Sequence, residues 1–276
     1  MRTILISPVL LVTAALSIVA AGCAGGDGAS DDGRTTVVAA FFPLAEAARH
    51  AGVDVDVVDL TPPGVEPHDL ELTTDQVDRI LDADLVIVLG GGFQPAVEDV
   101  ADDRDGPTLD VLAALDLDVA DPHVWLDPTV MARIVDAVAT ELDGDPSAFT
   151  DELAALDASY ERVLSSCERD VLVSSHEAYA HLAARYGLRT ETISGLIPEA
   201  EPDPAKLDEL ADLIEREGVT TIFNEPLLPR RAAETLARET GAAVAVLDPL
   251  ESDPGEGYVV AMEANLVALT DGLGCG

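Results

Sequence analysis

The feature that most constrains the fold is a repeated alternation of short Val-, Ile- and Ala-rich runs with stretches of helical spacing. Segments 35–42, 53–60, 84–90 and 107–111 form one set of predicted strands, and 171–175, 189–194, 220–224 and 242–247 form a second. Continuous apolar runs such as Thr35-Thr36-Val37-Val38-Ala39-Ala40-Phe41-Phe42 suit parallel strands covered on both faces. The intervening stretches carry helix starts: Thr73 and Gln76 make a capping-box pattern, and Asp127-Pro128 places a capping carboxylate before a proline at the first helical position. Two sets of four β-α units therefore predict two α/β lobes, each a small, mainly parallel sheet flanked by helices. Between them, Phe149, Leu153, Leu156, Tyr160, Val163 and Leu164 keep helical spacing, which predicts one long helix joining the lobes. The expected organisation is an N-terminal lobe at 35–144, a linking helix at 145–168 and a C-terminal lobe at 169–276.

Ahead of the first strand, Arg2 and an apolar run from Ile4 to Ala21 end in Ala20-Ala21-Gly22-Cys23. Small residues at a cysteine, followed by a polar Gly/Asp/Ser tail, mark a secretory signal at 1–22 rather than a spanning helix. The tetrapeptide matches a bacterial lipobox, so Cys23 is expected to carry a lipid that anchors the protein outside the cytoplasm. Ordinary cleavage nearby would instead release a free chain. Residues 23–34 read as a flexible tether.

Hydrophobic residues make up 48% of the chain, enough for a packed core, and aromatics at 4% imply one of Val, Leu, Ile and Ala. The formal net charge is −38, and Lys206 is the only lysine. Such a chain repels nucleic acid and anionic membrane surfaces and concentrates cations, although a solvated acidic surface kept for solubility accounts for most of that charge. Beyond Cys23 only Cys167 and Cys275 remain. In an oxidising compartment they are expected either to form a bridge closing a loop of about 100 residues or to stay as two buried thiols.

The chemistry lies in three of the five histidines. His68 follows the second strand in the proline-rich loop Thr61-Pro62-Pro63-Gly64-Val65-Glu66-Pro67-His68-Asp69. His123 follows the fourth strand in Asp121-Pro122-His123-Val124-Trp125-Leu126-Asp127-Pro128, where two prolines limit its backbone. His176 ends the fifth strand, and Asp248 ends the last. In open α/β sheets, ligands bind beyond the carboxyl ends of the strands. If the lobes face each other, these four groups converge between them. Three imidazoles and one carboxylate make a closed four-coordinate site suited to Zn²⁺, with Mn²⁺, which favours oxygen ligands, the alternative. His50 and His181 fall on predicted helices and read as structural. Trp125 reads as packing behind His123. Glu225 is either an outer partner of a metal-bound imidazole or a helix cap. The run from Glu251 to Glu256 reads as solvated surface. The triple glycine 90–92 lacks the spacing of a nucleotide loop.

Taken together, Gly64-Val65-Glu66-Pro67-His68-Asp69, Leu89-Gly90-Gly91-Gly92-Phe93, the segment around His123, Ser174-Ser175-His176-Glu177-Ala178-Tyr179 and Leu247-Asp248-Pro249-Leu250 occur in an order that resembles the zinc/manganese solute-binding proteins of bacterial ABC importers. The closing Tyr258, Met262 and Asn265-Leu266 extend that resemblance over nearly the whole chain after the tether. It implies two α/β lobes joined by one long helix, metal held by His68, His123, His176 and Asp248, and delivery to a membrane permease. Members resembling manganese binders often carry Glu at the third position, where this chain has His176. The His-rich loop of many zinc-binding relatives is missing, since no His stands between His68 and His123. The expected protein is a monomeric receptor and not an enzyme. An adhesion protein with a structural metal and a zinc hydrolase are the alternatives, the second without any H-E-x-x-H signature. Because imidazoles bind metal as neutral bases, affinity is expected to fall as pH drops towards about 6.5.

Overall fold

In the computed structural model, residues 33–117, 120–198 and 203–276 are described. Cys23, the signal segment and nearly all of the tether lie outside them. Each set of four strands forms its own parallel sheet. The first is ordered β2-β1-β3-β4, from β1 (Thr35–Ala39), β2 (Val55–Asp59), β3 (Leu85–Val88) and β4 (Thr108–Asp110). The second repeats that order as β6-β5-β7-β8, from β5 (Val171–Ser174), β6 (Arg189–Thr192), β7 (Thr221–Asn224) and β8 (Ala243–Val246). Sequence separates inner from edge strands. Inner β3, β5 and β7 are buried throughout, whereas edge strands β2 (VDVVD) and β6 (RTET) alternate or carry charge.

Helices cover the sheets: α1 (Phe42–Arg49), α2 (Thr74–Asp82), α3 (Pro95–Asp102), a short α4 (Val111–Ala114) and α5 (Pro128–Glu141) in the first half, then α6 (Ser147–Leu164), α7 (Ala180–Tyr186), α8 (Pro204–Glu217), α9 (Arg231–Thr240) and α10 (Tyr258–Leu273). The start signals act as their chemistry dictates. Thr73 and Gln76 form the full capping box of α2, and the Asp127 side chain accepts from the Thr129 N–H at the start of α5. The helix α4 has no counterpart in the sequence reading; it is one turn long, capped by Asp110.

The second sheet shows how side-chain alternation divides the core. Leu172 and Phe223 face the main core with α7 and α10, while Val171, Val173 and Ile222 turn the other way onto Leu210 and Ile214 of α8 and Leu236 of α9. The main core runs without interruption from β1 through α5 and α6 to α10. Buried Tyr160 of α6 donates from its hydroxyl to the Met262 carbonyl of α10 at 2.6 Å, and burial pushes its pKa upward. A disulfide joins Cys167, just past α6, to Cys275, just past α10, across 108 residues of sequence. In the chain-entropy model, closing a loop of that length stabilises the fold by up to about 4–5 kcal/mol.

Candidate metal centre

The carboxyl ends of both sheets carry the functional side chains. His68 follows β2, and the backbone N–H of His68 lies 3.5 Å from Glu66 Oε1. His123 follows β4 and α4 and enters a single 3-10 turn, Val124–Leu126, that leads into α5. His176 stands directly after β5. Three glycines at positive φ (88°, 71° and 80°) follow β3 and deliver Phe93 to the same place. At Gly90 the need is steric as well, because a Cβ would meet the Asp110 carboxylate at 2.2 Å. The Phe93 ring then lies edge-on to His68, with centroids 4.5 Å apart.

His68, His123 and His176 come together, and the fourth donor beside them is Glu251, not Asp248. Glu251 Oε1 lies 3.2 Å from His68 Nε2, 2.9 Å from His123 Nε2 and 3.6 Å from His176 Nε2, and the Nε2 atoms of His123 and His176 are 3.3 Å apart. A tetrahedral zinc with bonds near 2.0–2.1 Å requires ligand–ligand edges of roughly 3.3–3.4 Å, which these distances bracket, and all four donor atoms lie within 4.8 Å of one another. Asp248 does end the last strand as expected, but its carboxylate turns back to accept from the Leu250 N–H at 2.8 Å. It builds the turn; the residue three positions on reaches the histidines. Glu251 is 2% exposed, which overturns its reading as solvated surface. The sequence carried a signal for it: a carboxylate directly after the Pro249-Leu250 pair of a turn at a strand's carboxyl end.

The other ring nitrogens decide which face each imidazole presents. His123 Nδ1 donates to Asp121 Oδ1 at 2.6 Å, and the same oxygen accepts from the His123 backbone N–H. His176 Nδ1 donates to Glu225 Oε2 at 2.7 Å, while Glu225 Oε1 accepts from the Ser175 hydroxyl at 2.8 Å. Each carboxylate fixes the tautomer and aims Nε2 at the centre. Glu225 thus contacts the histidine rather than capping a helix. Asp121 was not distinguished in the sequence from an ordinary loop residue. His181, expected to be structural, donates from Nε2 to the Asp121 carbonyl at 2.8 Å and so steadies the loop of His123 from α7. His50 stacks on Phe149, centroids 3.9 Å apart.

Electrostatics in the metal-free group follow from this wiring. Burial opposes a charged His123, but its hydrogen bonds to Asp121 and Glu251 outweigh that and raise its pKa to about 9. Burial would raise Glu251, yet hydrogen bonds from His123 and His68 hold its carboxyl far below the usual range. Both shifts favour a protonated His123 facing an ionised Glu251, and a cation would take the place of that proton. Beside the group lies a cavity of about 140 Å³ whose wall includes Glu66, Glu225, Asp248, Glu251 and Asp253.

Two parallel-sheet lobes around a buried group of three imidazoles and a carboxylate define a metal-binding protein of the two-lobed α/β class. The chain belongs to the ZnuA family, zinc-uptake complex component A, periplasmic, whose family pattern matches residues 37–272. It is 31% identical to the zinc-binding lipoprotein AdcA of Streptococcus pneumoniae over 86% of this chain, although it spans only 56% of that relative's length. It is 29% identical to the high-affinity zinc uptake system protein ZnuA of Bacillus subtilis, covering 96% of this chain and 97% of that one. Among solved structures it resembles the laminin-binding protein Lmb of Streptococcus agalactiae, described as a bifunctional protein with adhesin and metal transporting activity. That match has a TM-score of 0.80 at 30% identity, over 87% of this chain and 99% of the other.

Proposed function

We propose that this chain is an extracytoplasmic receptor that captures one Zn²⁺ and delivers it to an ABC permease, with Mn²⁺ a weaker ligand. Its ligands are Nε2 of His68, His123 and His176 and the carboxylate of Glu251. The observation that carries this reading is the convergence of four donors within 4.8 Å of one another, two of them with the opposite ring nitrogen held by a carboxylate. Four protein ligands complete the coordination of zinc and leave no position for a substrate water, so the protein is a binder and not a hydrolase. The acidic cavity beside the group favours the approach of a cation. Cys23, at the end of its lipobox, tethers a monomer to the outer face of the membrane. Among the described residues no helix is long and apolar enough to cross one.

The test is chelator-competition titration of the metal-stripped protein with Zn²⁺ and Mn²⁺, comparing wild type, Glu251→Gln and Asp248→Asn. One tight zinc per chain, strongly weakened by Glu251→Gln and weakened far less by Asp248→Asn, is the expected result. Absence of stoichiometric binding, or a larger loss with Asp248→Asn, would overturn the ligand set.

A further inference from the structure

Glu251 owes its position to an unusual turn. Leu250, immediately before it, has φ of 58° and is fully buried. Leucine adopts this left-handed region only where the surroundings enforce it. Among the described residues the other non-glycine positions with positive φ are Asp116 and Asp143, a residue type that tolerates the conformation.

The enforcing contacts come from two separate elements. Trp125, in the 3-10 turn beside His123, donates from its indole N–H to the Pro249 carbonyl at 2.8 Å. Asn265 of α10 holds Asp248 from both sides: its Oδ1 accepts from the Asp248 N–H at 2.9 Å, and its Nδ2 donates to the Asp248 carbonyl at 2.6 Å. Asp248 in turn accepts from the Leu250 N–H. Tyr258, at the start of α10, closes the circuit by donating from its hydroxyl to the Trp125 carbonyl at 2.6 Å. The Trp125–Pro249 bond is buried and those at Asp248 are part-buried, and the partners lie more than a hundred residues away in sequence on one side and seventeen on the other.

We propose that Trp125 and Asn265 are positioning residues for metal binding: they clamp turn 248–250 so that Glu251 is held against the three imidazoles before metal arrives. Trp125 thereby joins the loop of His123 to the loop of Glu251, and the two ligands move as one body. This rests on the reading of Glu251 as a ligand. Loss of either clamp leaves the four donors present but the carboxylate free to withdraw, so zinc affinity falls while the histidines stay in place.

A double-mutant cycle in zinc affinity tests the clamp. Trp125→Phe removes the indole N–H but leaves a ring against Phe41 and Phe93, which Trp125 meets at centroid distances of 4.9 and 5.5 Å. Asn265→Leu removes the second clamp independently and serves if the tryptophan variant does not fold. Each is expected to weaken zinc by about 10- to 100-fold, the range typical of groups that orient ligands. In a Glu251→Gln background, each is expected to change affinity less than about twofold, since the group being positioned is gone. A clamp variant that binds zinc as wild type does, or whose loss persists undiminished in that background, would overturn the proposal while leaving the ligand set intact. If Glu251→Gln alone binds zinc normally, the ligand reading itself fails.

Discussion

His123 and His176 differ from His68 in almost every respect that governs a ligand's freedom. The first two have fully buried side chains and donate from Nδ1 to a carboxylate, Asp121 or Glu225. The His68 side chain is 16% exposed, follows an edge strand through a loop with three prolines, and leans on Phe93. In the proposed ligand set, two histidines are therefore fixed before metal binds and one is held mainly by its loop and by the group it joins. Preorganisation lowers the ordering cost of binding.

The sharpest way to break this contrast is to remove the buried imidazole. His123→Ala leaves buried Glu251 and part-buried Asp121 without their shared partner, and the metal-free protein is expected to lose about 3–5 kcal/mol in urea unfolding. A loss below about 1 kcal/mol would mean that this half of the site is not prebuilt. Glu225→Gln should come next. The His176 ring keeps its place but loses its charged acceptor, and zinc affinity is expected to fall about 10- to 100-fold with little change in fold stability, as read by chelator competition and thermal unfolding.

Proton linkage offers a third probe. The folded pKa of His123 is raised to about 9 from the ordinary imidazole value of 6.5. The stabilisation from its charged form is fully present below about 6.5 and is lost as pH rises through about 9. The metal-free protein should therefore be less stable at pH 9.5 than at pH 6.5. Zinc must expel that same proton, so its apparent affinity should keep rising up to about pH 9, beyond the range expected of an ordinary imidazole. An affinity that levels off near pH 7 would show that the Asp121 and Glu251 contacts do not hold the proton. The smallest effect belongs to His68→Ala, which should weaken zinc but shift metal-free stability by less than about 1 kcal/mol, because its side chain is partly exposed and its partner Glu251 keeps His123.

How much of this was legible in the sequence follows the same division. All eight strands fall inside stretches that the sequence marks; inner β3, β5 and β7 are continuous apolar runs, while edge β2 and β6 carry charge. His68, His123 and His176 stand in segments that follow the carboxyl ends of β2, β4 and β5, and the rule about those ends places them on one edge. The fourth donor escaped that rule. Asp248 is the first carboxylate past β8, but a left-handed Leu250 swings the chain so that Glu251 enters instead, and nothing local in Leu-Asp-Pro-Leu announces positive φ at a leucine. That conformation is imposed by Trp125 and Asn265 from distant parts of the chain. Asp121 escaped for a related reason: a carboxylate two residues before a histidine orients the ring only if the intervening Pro122 folds it back, as it does here.

The most direct test of the central claim is X-ray absorption at the zinc edge on the protein loaded with one equivalent of zinc, with Glu251→Gln alongside. The account expects a four-coordinate zinc with three imidazole nitrogens and one carboxylate oxygen, and a changed oxygen shell in the variant. A six-coordinate ion, fewer than three imidazoles, or an unaltered spectrum in Glu251→Gln would contradict it.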